Sequence, residues 1–211
     1  MIDIIDIGFG NIRSLTNILT QLQVPSRTVS CPNKINSDTI ILPGVGSAGP
    51  YMKKLKESDL DQAIKEHHSN GKRIIGICLG LQLLTLHSEE DGGTECLGII
   101  DAHTQKMEPS KAAFYSHTGW ERFDITSEFF AKSGCPGKMR LTRKRTLKGR
   151  VFYNHVYGVC HNENASSDQK KILNNAYSAY SSIIAQKNII GIQFHPEKSQ
   201  VTGLKLFEMM L

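Results

Sequence analysis

RIIGICLGLQLL, residues 73–84, joins an isoleucine-rich run to a helix-like one, with one cysteine at the join. RIIGI (73–77) is short, apolar and β-branched, which suits a strand buried on both faces. LGLQLLTLH (79–87) reads as a helix. Cys78 falls on the turn between them, with Gly76 and Gly80 two residues away on either side. A nucleophile on a tight strand-to-helix turn is lifted clear of the sheet, and flanking glycines relieve the crowding of such a turn. The turn also sets the sulfur at a helix N-terminus, whose dipole and free N–H groups favour thiolate. Free cysteine is often only a small buried hydrophobe. The strand–turn–helix context favours the nucleophile.

The same alternation continues outward. IDIIDI (2–7) leads through GFGN into IRSLTNILTQL, with Ile12, Leu15, Ile18, Leu19 and Leu22 at helical spacing. TIIL (39–42) is strand-like and ends in PGVGSAG. A partly periodic helix over 49–68 follows, carrying Met52, Leu55, Leu60 and Ile64. Alternating strands and helices predict an α/β fold, a mostly parallel central sheet with helices on both faces. Residues 97–130 hold short strand candidates with polar interruptions, and VFYNHVYGV (151–159) is β-rich. AYSAYSSIIAQ (176–186) and NIIGIQF (188–194) read as strands paired around Lys187–Asn188, so a smaller antiparallel region is expected as well. VTGLKLFEMML closes the chain as a helix with Leu204, Phe207 and Leu211 on one side. With no repeat or linker, residues 1–211 read as a single domain.

Composition bounds the function. Of 211 residues, 39% are hydrophobic and 21% charged, an ordinary globular balance. No apolar run approaches the roughly 20 residues of a membrane span. MIDIIDIGFGNIRS has aspartates where a signal peptide would be basic, so it reads as a first strand. The five cysteines are odd in number and lack CxxC spacing, which suggests neither a disulfide framework nor a zinc site. No metal is expected, and the expected compartment is the reducing cytoplasm. The net charge of +5 is concentrated in KMRLTRKRTLKGR (138–150), which has seven Lys or Arg and no acid. Without that segment the chain is slightly acidic. The run reads either as a solvated loop or hairpin edge, or as a site for an anionic partner. Nucleic-acid binding is disfavoured because no aromatic platform accompanies the charge.

A thiolate that transfers acyl groups needs a proton shuttle. His195 follows the strand NIIGIQF, so it lies at a strand's carboxyl end, where sites collect in parallel sheets. Glu197, two residues on, is placed to accept from the imidazole and fix its tautomer, as the third member of a triad does. His67, His68, His87, His103 and His161 lack such context and read as structural. Pro43-Gly44-Val45-Gly46 follows TIIL, and glycine-rich turns let backbone N–H groups approach a developing oxyanion.

Together, PGVG, GICLGLQLL and GIQFHPEKS resemble the class I (triad) glutamine amidotransferases. Within that family DIGFGNIRSL, LPGVGSAGPYM, SEEDGG and SHTGWE are most like the glutaminase subunits of imidazole glycerol phosphate synthases. The resemblance runs from Ile2 to the C-terminal helix. It implies that Cys78 attacks glutamine to form a thioester, that His195 shuttles protons, and that Glu197 orients His195. Val45 and Leu79 would supply oxyanion-hole N–H groups. Gly46, Gln82, Glu90, His155, Val156 and Tyr157 would hold glutamine, and Asn11, Trp120 and Lys198 would lie near a partner interface. The implied partner is a (β/α)8 barrel synthase subunit that receives ammonia through its core, forming a heterodimer in histidine biosynthesis. No cofactor is implied, and the isolated glutaminase would be weak until the partner binds its ligand.

Departures gather away from the triad. SHTGWE has Ser116, Thr118 and Glu121 where Pro, Met and Asn are usual in such subunits, and VFYNHVY has Asn154 and Val156 in place of an apolar residue and a Ser or Thr. They leave two alternatives: a paralogous glutaminase feeding a sugar amidotransferase for surface polysaccharide, and a non-catalytic regulatory subunit. The intact Cys78, His195 and Glu197 speak against the second.

Overall fold

A computed structural model describes residues 1–108, 116–132, 145–160, 171–174 and 180–211. In chain order the elements are β1 (Ile2–Ile5), α1 (Ile12–Gln21), β2 (Ser26–Val29), β3 (Thr39–Leu42), α2 (Ala48–Glu57), α3 (Leu60–Ser69), β4 (Arg73–Ile77), α4 (Leu79–Leu83), β5 (His87–Ser88), β6 (Thr94–Glu95), β7 (His103–Lys106), β8 (His117–Thr126), α5 (Ser127–Lys132), β9 (Thr146–His155), β10 (Tyr157–Cys160), β11 (Lys171–Asn174), β12 (Ser181–Gln186), β13 (Ile189–Ile192) and α6 (Gln200–Met210). The central sheet has seven strands in the order β11-β12-β13-β4-β3-β1-β2. From β2 to β13 neighbours pair in parallel, while β12 and β11 are antiparallel. A four-stranded sheet, β10-β7-β5-β6, and the hairpin ribbon β8-β9 complete the β structure.

Strand alternation builds a core on each face of the sheet. Ile4, Ile41, Ile75, Ile77, Ile190 and Ile192 pack on one side with α1, α6 and the ribbon. Ile40, Leu42, Ile74, Ile184 and Ile189 pack on the other with α2, α3 and α4. The α/β class and the antiparallel pair around Lys187–Asn188 match the sequence reading over the described residues.

Several elements differ from expectation. The helix after Cys78 has five residues and does not reach residue 87. Its exposed carbonyls are taken from outside: Leu97 N–H donates to Leu83 O at 2.8 Å, and Ile99 and Ile100 N–H to Leu84 O at 2.9 and 2.8 Å. The single helix over 49–68 is two, broken where Asp59 turns left-handed at φ 57° and Ser58 Oγ donates to Lys54 O. On α6 the fully buried residues are Gly203, Leu206, Phe207, Met209 and Met210, with Leu204 and Leu211 only partly covered. The polar edge strand β2 and the helix α5 were not foreseen. Residues 138–144 of the basic run, with His161 and residues 176–179, lie outside the described residues. The remainder of the run is hairpin edge in β9, where Lys148 lies 3.4 Å from Asp124.

Candidate active site

Three parallel strands deliver the site at their carboxyl ends, where β3 runs into PGVG, β4 into Cys78, and β13 into Gln193-Phe194-His195. The turn at Cys78 is strained, with φ 54° and ψ −110°, and its N–H donates to Ile192 O at 2.6 Å. A non-glycine residue at such an angle persists only when its surroundings over-determine it. Here they do, because a Cβ on Gly80 would fall 1.8 Å from Leu42 O, and one on Gly44 2.7 Å from Leu79 Cβ. The glycines therefore let the PGVG segment press directly on the nucleophile turn.

His195 is bridged to the ribbon. Its N–H donates to Phe152 O at 2.8 Å, and Ser199 Oγ donates to His195 O while accepting from Phe152 N–H. Its Nδ1 lies 2.8 Å from Glu197 Oε1, which also accepts from Asn11 Nδ2 at 2.9 Å. Burial works against the charge on His195, but hydrogen bonds to the Cys78 sulfur and the Glu197 carboxylate prevail and raise it to about 10. Burial likewise opposes ionisation of Glu197, yet bonding to His195 and Asn11 lowers it. The arrangement is an imidazolium held between sulfur and carboxylate.

Beside it is a cavity of about 230 Å³ lined by Val45, Gly46, Cys78, Leu79, Gln82, Glu90, Asn154, His155, Val156, Tyr157 and His195. Every residue expected at the oxyanion hole or around the substrate thus lines one cavity. Asn11, expected near a partner interface, places its amide on Glu197. Trp120 and Lys198 sit together on the outer face of the ribbon: Trp120 meets Phe152 edge-on at 5.6 Å, and Lys198 Nζ lies 5.9 Å above the same ring.

Two lining or neighbouring residues escaped the sequence reading. Gln193 is buried, and its Nε2 lies 3.8 Å from the Cys78 sulfur. A polar side chain between Ile192 and Phe194 was the available signal. Asn154 was noticed only as a departure, yet its carbonyl is 4.0 Å from that sulfur.

The model for class-I glutamine amidotransferases matches residues 3–209. This chain is a class-I glutamine amidotransferase. The amidotransferase is 35% identical to the imidazole glycerol phosphate synthase subunit HisH of Sulfurimonas denitrificans, over 99% of this chain and 96% of that one. To the HisH subunit of Bacillus subtilis it is 32% identical, over 98% of this chain and 93% of that one. Among solved structures, a glutamine amidotransferase crystal structure superimposes with TM-score 0.69 at 14% identity, covering 99% of this chain and 98% of that one. PurLQS from Thermotoga maritima gives TM-score 0.69 at 17% identity, covering 99% and 96%. These two establish the fold.

The amidotransferase's ionisation predicts a stability maximum near pH 6.5. His195, raised to about 10, contributes stability that is complete below the unfolded value near 6.5 and lost as pH climbs toward 10. Burial, reinforced by the charges of His117 and His195, holds His155 down at about 3 against its bond to Tyr157 O. The unfolded chain therefore binds the extra proton between about 6.5 and 3, and stability falls as pH drops through that window. Thermal unfolding across pH should show both limbs, and Cys78→Ala should shrink the alkaline one.

Proposed function

We propose that this amidotransferase, as one domain spanning residues 1–211, is the glutamine-hydrolysing subunit of an imidazole glycerol phosphate synthase, and that it passes ammonia to a (β/α)8 synthase subunit. The observation that carries the reading is the match to HisH subunits over nearly the whole of both chains. The polysaccharide and non-catalytic alternatives have no comparable support.

The cavity supports a direct mechanism. The Cys78 sulfur attacks the side-chain carbonyl of glutamine, and the N–H groups of Val45 and Leu79 receive the oxyanion. His195, already protonated beside the sulfur, gives its proton to the departing nitrogen, leaving ammonia and a thioester. Neutral His195 then takes a proton from water as water attacks the thioester, releasing glutamate and restoring the pair. Glu197, steadied by Asn11, keeps Nδ1–H of His195 pointed away from the sulfur, so that Nε2 does the work. Glu90, whose carboxyl is raised by burial, faces the cavity as a partner for the substrate's ammonium group. The outer patch of Trp120 and Lys198 is the proposed docking surface.

The test is glutamine hydrolysis by the purified chain, alone and with a barrel synthase subunit plus its phosphoribosyl ligand. Strong stimulation by the liganded partner is expected. No stimulation would leave the triad chemistry standing and remove the histidine-pathway assignment. Lys198→Ala should cut glutamine-dependent turnover of the complex about tenfold, the worth of one good ion pair or hydrogen bond to charge. Its melting temperature should stay within about 2 °C of the parent, as for other surface substitutions. A variant that melts much lower would make Lys198 structural.

A further inference from the structure

A second histidine–carboxylate pair lies behind the pocket wall, and the chemistry at Cys78 makes no use of it. In the β8–β9 ribbon His117 pairs with His155, Gly119 with Tyr153 and Glu121 with Val151. His117 and Glu121 therefore share the inner face, separated by the bare backbone of Gly119. Glu121 Oε1 lies 2.8 Å from His117 Nε2, with both side chains at least nine-tenths buried. His117 Nδ1 lies 3.3 Å from His155 Nε2, and His155 Nδ1 lies 2.7 Å from Tyr157 O. The His117 ring stacks on Tyr153 at 3.9 Å, and the Tyr153 hydroxyl is anchored on Ser182.

Donor and acceptor chemistry orders the protons along this chain. A carbonyl only accepts, so His155 Nδ1 carries a proton. His155 is neutral near pH 7, which leaves its Nε2 bare, and His117 Nδ1 must donate to it. The Glu121 carboxyl meets the other nitrogen of His117, Nε2, and so holds the ring in line with His155.

The far end of the chain is the pocket. Tyr157 O, fixed from one side by His155, accepts from the other side a bond from Gln82 Nε2 at 2.7 Å. Gln82 in turn reaches Gln193 Oε1 at 3.3 Å, and the Gln193 amide lies 3.8 Å from the Cys78 sulfur. A buried ion pair adds little stability over apolar residues of similar volume. Its value here is in direction, because each bond is handed on toward Asn154–Tyr157, the segment that walls the cavity.

We infer that His117 and Glu121 are positioning residues that hold His155 as its Nδ1–H tautomer and, through it, the Tyr157 carbonyl, and so set the pocket's affinity for glutamine. The inference rests on the glutamine reading of that pocket.

Glu121→Gln tests it, since the amide keeps an acceptor for His117 but removes the charge. Nitrogen-15 NMR of the histidine rings in the full chain should show His155 as its Nδ1–H tautomer in the parent and that tautomer redistributed in the variant. In the complex with the synthase subunit, KM for glutamine should rise about tenfold while kcat stays within about twofold, the pattern of lost ground-state binding. His117→Gln retains a donor toward His155 and should recover most of the affinity that His117→Ala loses, with melting curves confirming that both are folded. An unchanged His155 spectrum, or a fall in kcat at constant KM, would overturn the inference. A parent complex without glutaminase activity would instead strike the glutamine reading, and the NMR spectra would still decide whether the pair governs His155.

Discussion

Cys78→Ala is expected to abolish glutamine-dependent turnover while leaving ammonia-dependent synthesis by the complex at the parental rate. The loss should be about four orders of magnitude or more, as when a nucleophile that acts as a unit with its base is removed. Among the described residues, the sulfur's polar neighbours besides His195 are Gln193 and Asn154, which offer an amide and a carbonyl in place of a thiol. Alanine is smaller, and the strained turn at φ 54° is imposed by its surroundings, so the fold should survive. His195 loses one of the two partners that keep it charged and should titrate lower, which NMR of its ring would show. If ammonia-dependent turnover fell as well, Cys78 would be acting on the partner's chemistry, and the proposed division of labour would be wrong.

Gly80→Ala should be the most damaging substitution to folding. Its Cβ would sit 1.8 Å from the carbonyl oxygen of Leu42, and that oxygen belongs to the end of β3, buried in the sheet. Neither side yields easily, since α4 is packed on β4 and β3 is hydrogen-bonded to β1 and β4. A clash of backbone on backbone belongs with the substitutions that cost about 4 kcal/mol or more. For a chain of this size that is roughly 10 °C in Tm, or failure to accumulate soluble protein. Gly71→Ala is the control: its φ of +73° is left-handed but open space surrounds it, so the cost is about 1 kcal/mol of strain. Similar melting of the two variants would mean that the close approach at Leu42 does not constrain the turn.

The parts legible in the sequence were those whose cause is local. RIIGI and NIIGI are continuous apolar runs because both faces of their strands are covered, and burial is complete along them. Cys78 and His195 were legible because each follows a strand, and Glu197 because it lies two residues beyond His195, in the turn that Pro196 opens. What was missed depends on distant partners. SRTV of β2 carries a polar pattern because it is the sheet's outer strand, with Arg27 bonded to Asp3 across the edge. The early end of α4 follows from carbonyls captured by residues 97–100, and nothing inside LGLQLLTLH announces that. Asn11 reaches Glu197 across 186 positions of sequence. The facing of His117 and His155 is a matter of strand register, fixed by the whole length of the ribbon.

That ribbon has one more consequence. Its residues alternate between two duties: His117, Glu121, Tyr153 and His155 look inward, while Trp120, Phe152 and Asn154 occupy the positions between them. A substitution on either face leaves the strand register, and with it the other face's residues, in place. A single inserted or deleted residue would exchange the two faces from that point on. The ribbon is permissive in spelling and strict in length.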